Sequence, residues 1–375
     1  MRPLVVLCVA VALPAFAEEQ AEPAGIEPEF VRPLLPIGRG RNDSNPVWSP
    51  LGDTIAFERA RGDDKEIVVA RVSGEVIQTL HQQAPPAQGQ TTQFFFPGVV
   101  EPTSYNSGIS WSPDGKRFVF MSNGGEGNYD LYLRESDGRV ARITTDREKD
   151  GHADWSPTGD RIAFISGRSG KGDLYLLDHA AKTTTRLTHG EQPYLYPQWS
   201  PDGKRIAFIQ GSNENHDIAV LAPGLNPPAP PKQLTTWRHD DLRPAWSPDG
   251  KRIAFYTNYN AAGDPKTWAL AVVAADGSDP TEGEGLAARV VATDVVPDVE
   301  RGSAWLPDSR RIAYVRDERQ AYYPIYVADA GTRTSTLLRT GTKMNHDVSC
   351  SRGGLIAFRA QVDQWDQVYV AKLKD

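Results

Sequence analysis

The chain has little cysteine and no long hydrophobic run beyond its first residues. Two cysteines among 375 residues cannot build a disulfide scaffold. No segment approaches the roughly 20 apolar residues of a transmembrane helix. Positive charge is not in excess either, because 48 Asp and Glu outnumber 41 Lys and Arg, for a formal net charge of −7. This balance argues against a general nucleic-acid binder, whose binding domain would be basic.

Local signatures of several enzyme classes are also missing. The sequence contains no Gly-x-Ser-x-Gly nucleophile motif, no Walker-type phosphate loop and no dinucleotide fingerprint after a strand. We therefore expect no cofactor. A bound divalent cation is the alternative. Carboxylates from distant segments can converge without a local motif, so catalysis is left open.

The N-terminus has the pattern of a secretory signal peptide. Arg2 precedes an apolar run over 3–14, and the small residues Ala15 and Ala17 flank Phe16 before a polar segment. We predict cleavage after Ala17, a short flexible segment at 18–27, and a periplasmic or secreted protein. Cys350 would then be the one cysteine of the mature chain.

One sequence unit occurs seven times. It begins with Trp-Ser-Pro-Asp-Gly and continues with Arg-Ile-Ala-Phe, each with variants. The first residues of the units are Trp48, Trp111, Trp155, Trp199, Trp246, Trp305 and, in a degenerate seventh copy, Cys350. Their spacings are 63, 44, 44, 47, 59 and 45 residues, which indicates a basal period near 44 with two insertions.

Each unit reads as four short strands. Strand A ends at the tryptophan, Ser-Pro-Asp-Gly is a tight turn, Arg-Ile-Ala-Phe is strand B, and two further strands, C and D, follow. Four strands repeated with this period are typical of a β-propeller. We predict an all-β, seven-bladed β-propeller with four-stranded blades, forming a single domain over 28–375.

The ends of the chain predict how the ring closes. The seventh unit stops after its strand C, whereas an unassigned segment at 30–36 precedes the first unit. Leu35 lies thirteen residues before Trp48, close to the spacing of about twelve between strand D and the next tryptophan elsewhere. We predict that this N-terminal segment completes the last blade and removes the exposed sheet edges.

The repeat resembles the Trp-Ser-Pro-Asp-Gly propeller repeats of the TolB-like family, over about residues 28–375. The same repeat type occurs in the propellers of prolyl-oligopeptidase-like peptidases. TolB itself resembles a small α/β domain followed by six blades, whereas this chain has seven units and no room for that domain. The resemblance implies a propeller with a protein or peptide partner in the cell envelope.

In most units, the residue five positions before the first residue is a carboxylate or an amide. Equivalent positions in a propeller surround the central channel, so we predict a binding ring at the channel mouth. The ring comprises Asp43, Asn106, Asp150, Tyr194, Asp241, Glu300 and Asn345. Its four carboxylates suit a divalent cation or a cationic peptide group. Alternatively, these residues close the turns between strands D and A through side-chain hydrogen bonds.

Most aromatic residues outside the repeat motif fall in loops that share one face of the propeller. This predicted aromatic face comprises Phe95, Tyr105, Tyr196, Trp237, Tyr259 and Tyr323. They either contact a partner or pack into small cores within the loops. The charged pairs after the turn between strands A and B, such as Lys204 and Arg205, are expected to be solvated.

Two functions remain open at this point. The first is an exported, non-enzymatic and monomeric scaffold that binds a protein or peptide partner. The second is a carbohydrate- or peptide-active lyase or hydrolase at the channel mouth, since aromatics and carboxylates suit sugar stacking and acid–base chemistry. Two carboxylates with raised pKa in a deep apolar pocket would favour the enzyme. A broad, shallow face would favour the scaffold.

Overall fold

The chain is all-β, as predicted. The computed structural model describes residues 25–62, 64–81, 106–124, 128–211, 215–224, 229–236, 239–259, 267–279, 289–298, 302–318 and 322–374. Within these ranges, the one helix is a short 3₁₀ turn at Gly167–Ser169. No helix in this part of the chain is long and apolar enough to cross a bilayer. The predicted signal peptide at 1–17 lies outside the described residues.

The first four units form separate four-stranded antiparallel sheets. Two strands precede them, β1 (Gly25–Ile26) and β2 (Pro28–Pro33). The first two units contain β3 (Asn42–Trp48), β4 (Thr54–Arg61), β5 (Asp64–Arg71), β6 (Val76–Leu80), β7 (Asn106–Trp111), β8 (Phe118–Ser122), β9 (Asp130–Arg134) and β10 (Val140–Arg142). The next two contain β11 (Asp150–Trp155), β12 (Arg161–Ser166), β13 (Asp173–Asp178), β14 (Thr183–Arg186), β15 (Tyr194–Trp199), β16 (Ile206–Gly211), β17 (His216–Leu221) and β18 (Lys232–Gln233).

The fifth and sixth units share one continuous sheet, because β22 pairs with a strand of each. Their strands are β19 (Asp241–Trp246), β20 (Arg252–Thr257), β21 (Trp268–Ala274), β22 (Val290–Val296), β23 (Ala304–Trp305), β24 (Arg311–Arg316), β25 (Ile325–Asp329) and β26 (Ser335–Leu338). The seventh unit contains β27 (Asn345–Cys350), β28 (Leu355–Val362) and β29 (Trp365–Leu373).

The N-terminal strands add to the last two units. Strand β2 pairs antiparallel with β29, from Pro28 opposite Leu373 to Pro33 opposite Tyr369, and so forms the fourth strand of the seventh sheet. The pairing continues where the backbone N–H of Leu34 donates to the Val368 carbonyl at 2.8 Å. Strand β1, in the segment expected to be flexible, pairs in parallel with β26.

The repeated turn between strands A and B is built by its own sequence. In the second unit, the Gly115 N–H donates to the Ser112 carbonyl at 2.9 Å. The Ser112 hydroxyl donates to the Asp114 carboxylate at 2.6 Å, and that carboxylate also accepts the Lys116 N–H at 3.1 Å. Gly115 has a φ of 67°, which glycine adopts at little cost. The same contacts recur in the fourth and fifth units.

The core lies between neighbouring sheets. One hydrophobic cluster joins each pair of consecutive units, and another joins the seventh unit to the first. All six repeat tryptophans belong to these clusters, so they pack between neighbouring sheets. In several units the indole N–H also reaches the preceding unit, as when Trp246 Nε1 donates to the Gln198 carbonyl at 3.0 Å.

Arginines of the turn reinforce this packing and correct one expectation. The guanidinium of Arg205 lies 4.7 Å from the ring centre of Trp246 in the next unit and donates to the carbonyls of Gly250 and Ala275. Arg117, Arg161 and Arg252 stack in the same way on the next tryptophan. The expectation that Arg205 is solvated is therefore wrong, whereas Lys204 is exposed.

Candidate functional site

A cavity lined by described residues runs along strand A of all seven units. Its volume is about 730 Å³. One end of its wall comprises the turn residues that lie two positions after the first residue of each unit. They are Pro50, Pro113, Pro157, Pro201, Pro248, Pro307 and Arg352. Deeper in the cavity, the wall includes several repeat tryptophans. Polar side chains that lie three residues before these tryptophans along strand A also line the wall.

A β-bulge in strand A places these deeper side chains. Pairing between strands A and B shifts by one residue in six units, just before the first residue of the unit. In each shift, the residue three positions before the first residue has a left-handed backbone. These bulge residues are Asn45, Gly108, His152, Tyr196, Arg243 and Asp347, with φ between 49° and 69°. A β-bulge inserts one extra residue, so the side chain at the bulge no longer follows the alternation of side chains between the two faces of the strand.

Three adjacent bulge residues stack on one another at the inner end of the cavity. The rings of His152 and Tyr196 lie 3.9 Å apart at an interplanar angle of 24°. On Tyr196, the Arg243 guanidinium carbon lies 3.2 Å from the ring centre. Left-handed backbone costs non-glycine residues about 1–2 kcal/mol each. The fold therefore tolerates backbone strain at these three residues and holds their side chains in the cavity. We call these three side chains the channel stack.

The channel stack combines a cation with two uncharged polar rings. Burial, with the Arg243 cation as a second cause, lowers the pKa of His152 well below its usual value, so the imidazole is neutral at physiological pH. The Asp154 carboxylate, also in the wall, accepts the Ser110 hydroxyl at 2.9 Å and the Trp199 N–H at 2.7 Å. Because His152 and Arg243 cover the two faces of the Tyr196 ring, the stack offers a ligand its polar edges rather than an open face of that ring.

The residues of the predicted ring lie elsewhere. All six described members are buried at the start of strand A, and none lines the cavity. Glu300 lies outside the described residues, and Val295 pairs with Arg316 at the place that the ring residue takes in other units. The sixth unit thus departs from the spacing that selected Glu300, because seven residues separate its β22 from β23.

Partners within the fold occupy most of these side chains. Asp43 pairs with Arg59 at 2.6 and 2.9 Å, and Asp150 pairs with Arg168 at 2.9 Å, so cations do accompany these two carboxylates. The amides of Asn106 and Asn345 donate to backbone carbonyls, and Tyr194 packs against Phe208. No group of three or more His, Cys, Asp or Glu in the described ranges could hold a metal. Binding by the ring stays a prediction.

The aromatic face is only partly described. Phe95, Tyr105 and Trp237 lie outside the described residues. Tyr196 belongs to the channel stack, whereas Tyr259 contacts His239 and Tyr323 contacts His346, with ring centres 5.2 and 5.3 Å apart. Tyr196 and Tyr259 also pack against the cluster between the fourth and fifth units. The structure brings Tyr196 alone of the three into the cavity.

Cys350 stands where the other six units have tryptophan. It is half-buried and lines the cavity, although burial raises the pKa of its thiol to about 12. The thiolate is therefore scarce at neutral pH, which fits an unreactive side chain.

Three buried carboxylates outside the cavity have raised pKa values. Burial raises the pKa of Asp130 and of Asp217 to about 6, and that of Asp241 to about 8. Thr144 and Thr235 donate hydrogen bonds to Asp130 and Asp217 at 3.2 and 3.3 Å. Hydrogen bonds from Thr257 and Thr235 oppose the rise in the pKa of Asp241, but burial outweighs them.

This environment predicts how stability depends on pH. A carboxyl with a pKa of about 3.9 in the unfolded chain and about 8 in the fold holds its proton more tightly when folded. The free energy of unfolding should therefore fall as the pH rises through this interval. We expect Asp241→Asn to flatten the fall and to be more stable than the wild type at pH 9 by about 1–3 kcal/mol. Urea unfolding at pH 5 and 9 measures this, with the exposed Asp64→Asn as control. Equal slopes for Asp241→Asn and the wild type would contradict it.

Comparisons with known proteins agree with this architecture. A family model described as the TolB beta propeller domain matches residues 97–282. The repeats within this range are of the TolB β-propeller type. No curated protein matches the chain in sequence. The matched range covers about half of the chain, and further four-stranded sheets lie on both sides of it.

Solved structures share the fold at low identity. TolB from Acinetobacter baumannii aligns with a TM-score of 0.51 and 17% identity over 83% of this chain, which spans 66% of that TolB. Oligogalacturonate lyase from Vibrio parahaemolyticus gives a TM-score of 0.64 and 10% identity, over 92% of this chain and 94% of the lyase. A puromycin-hydrolyzing peptidase of Mycobacterium tuberculosis gives 0.62 and 16%, over 93% of this chain and 54% of the peptidase. These identities show likeness of fold.

Sequence reasoning selected Tyr196 for the aromatic face but missed the other bulge residues, although their composition carried a signal. Three positions before the first residue of each unit, the seven units have Asn, Gly, His, Tyr, Arg, Gly and Asp. Gly, Asn, Asp and His are the residues enriched in left-handed backbone. Their recurrence at one repeat position marks the bulge.

Proposed function

We propose that the seven units form a closed, seven-bladed ring that an N-terminal strand completes. The pairing of β2 with β29 and the cluster that joins the seventh unit to the first support this arrangement. In the same proposal, residues 1–17 are a signal peptide, 18–27 a short leading segment and 28–375 one propeller. The mature protein acts in the periplasm or outside the cell, as a monomer without a cofactor.

We infer that this propeller is a non-enzymatic scaffold that binds a protein or peptide partner in its channel. The observation that carries the proposal is the channel stack, three strained side chains held in a cavity that every unit lines. Tryptophan and proline supply the apolar wall that such an interface needs, and the stack supplies an aromatic and arginine anchor, the residue types enriched in binding hot spots. The TolB-type repeats favour an envelope partner.

The alternative of a lyase or hydrolase has less support. An enzyme of this kind would need two carboxylates with raised pKa in a deep pocket. The carboxylates with the highest pKa among the described residues, Asp130, Asp217 and Asp241, are buried away from the cavity. A substrate in the channel would not reach them.

Partner capture tests the scaffold proposal. Mature protein immobilised and exposed to periplasmic extract should retain a partner that Tyr196→Asn binds at least tenfold more weakly, as expected when a hot-spot side chain is removed. Asparagine suits the left-handed backbone at this position, and a thermal melt of the variant checks that it is folded before capture is compared. Lys204→Gln, an exposed change outside the cavity, is the matched control. Equal capture by all three proteins would refute binding in the channel.

A further inference from the structure

One junction between neighbouring units lacks the aromatic ring that the repeat places there. In six units the first residue is a tryptophan that packs between its own unit and the preceding one, and all six are buried. The seventh unit has Cys350 instead, half-buried against the cluster between the sixth and seventh units. This junction therefore has a small thiol where the other six have an indole.

The arginine that covers such a ring is nevertheless present. At four junctions, an arginine six positions after the first residue of one unit lies over the tryptophan of the next unit. These are Arg117, Arg161, Arg205 and Arg252. Arg311 is the fifth arginine at this position, but the next unit has Cys350 in place of the ring. Arg311 is exposed, whereas the other four are half-buried, as expected when the ring beneath it is missing.

Arg311 already has an ionic partner at its edge. Its Nε donates to the Asp308 carboxylate at 2.5 Å. The same combination occurs at Arg117, which pairs with Asp160 at 2.7 Å while its guanidinium carbon lies 5.0 Å from the ring centre of Trp155. A planar guanidinium donates hydrogen bonds from its edge and stacks through its face. The pair with Asp308 is therefore compatible with a ring on Arg311.

A hydrogen-bond acceptor and an approach complete the site. At four junctions the indole N–H donates, over 3.0 to 3.3 Å, to the carbonyl just before the first residue of the preceding unit. These carbonyls belong to Val47, Asp154, Gln198 and Ala245. The equivalent residue of the sixth unit is Ala304, and the seventh unit has no indole to reach its carbonyl. Cys350 and Pro307 line the cavity, so a small molecule can approach the junction from there.

We propose that the junction between the sixth and seventh units binds a free aromatic molecule of the size of indole with a ring N–H. The ring takes the place of the absent tryptophan beside Cys350, its face meets the Arg311 guanidinium, and its N–H donates to the Ala304 carbonyl. Apolar burial and the cation–π contact stabilise the bound ring. This small-molecule site is separate from the partner contact at Tyr196 and so goes beyond the proposed function.

Indole itself is the probe, measured by isothermal titration calorimetry with the mature protein. A ligand of about nine non-hydrogen atoms should bind such a site with a Kd of roughly 0.1–1 mM. 1-Methylindole has the same ring without the N–H. It should bind about threefold more weakly, because the Ala304 carbonyl then has no donor.

Cys350→Trp supplies the sharpest variant, because it restores the residue that the other six units have. It should bind indole at least about tenfold more weakly, since its own side chain occupies the site. It should also melt no lower than the wild type. Arg311→Leu should weaken binding about threefold through loss of the cation–π contact, while the exposed Lys204→Gln, as control, leaves binding unchanged.

Four results would overturn the inference. They are no measurable binding of indole, equal binding by the wild type and Cys350→Trp, equal binding by the wild type and Arg311→Leu, and equal binding of indole and 1-methylindole. A melting temperature of Cys350→Trp more than about 5 °C below the wild type also overturns it, because Leu306 and its neighbours would then already fill the place of the ring. Partner capture through Tyr196 is measured separately, so either proposal can fail while the other stands.

Discussion

A chain that begins at Arg41 should melt at least 10 °C below a chain that begins at Glu18. The shorter chain lacks β1 and β2, and it also lacks Leu34 and Leu35, which are 2% and 7% exposed in the cluster between the seventh and first units. Burial of one leucine contributes about 1.5–3 kcal/mol. The deletion also leaves the outer edge of β29 unpaired.

A chain that begins at Gly25 is the matched control for this deletion. It retains both N-terminal strands and should melt within about 2 °C of the longer chain. Differential scanning calorimetry compares the three proteins. If the chains that begin at Gly25 and Arg41 melt together, the N-terminal strand does not stabilise the ring.

Loss of Arg59 should have the largest effect of any single substitution near the predicted ring. Asp43 and Arg59 have side chains 2% and 5% exposed and make two hydrogen bonds of 2.6 and 2.9 Å. Arg59→Met leaves the Asp43 carboxylate buried without its counter-ion, which costs about 3–5 kcal/mol. The double variant Asp43→Asn with Arg59→Met should regain part of this loss, because it removes the uncompensated charge.

The adjacent exposed pair provides the comparison for that experiment. Arg61 is 61% exposed and lies 3.5 Å from Glu66, so Arg61→Met should cost less than about 1 kcal/mol. Urea unfolding at neutral pH measures all three variants. A loss in Arg59→Met no greater than in Arg61→Met would mean that the buried pair contributes nothing beyond a surface pair.

The repeats made much of the fold predictable. Each unit contains its own turn signal, as at Ser112 and Gly115, and the segment before Trp48 had the spacing of a missing strand. Such features depend on nearby residues or repeat the spacing seen in another unit. They can therefore be recognised from a single sequence. The parallel pairing of Gly25–Ile26 with the sixth unit has no such copy and was not foreseen.

The candidate site was less predictable, because it depends on where a strand breaks its own alternation. A spacing of five residues before the tryptophan selected Asp150, which the fold buries against Arg168, whereas His152 two residues later enters the cavity. The bulge inserts one residue and so changes which side chain faces the channel. The number of residues alone cannot show that shift. Stacking of Arg205 on Trp246 was missed for a related reason, since the partner lies in another unit.

The bulge in strand A separates what holds the molecule together from what it presents to a ligand. Alternate residues of the strand are committed to the clusters between sheets, but the residue at the bulge belongs to neither face. A substitution at Gly108, His152, Tyr196 or Arg243 changes the lining of the channel, and of these four residues Tyr196 also packs against a cluster between sheets. The repeat thus provides interchangeable positions in a fixed frame, and related chains can evolve new ligands, or be engineered for them, by changes at these positions alone. Among the described residues, nothing lies within 4 Å of the place that a Cβ on Gly108 would take, so Gly108 is the natural first position at which to add a side chain.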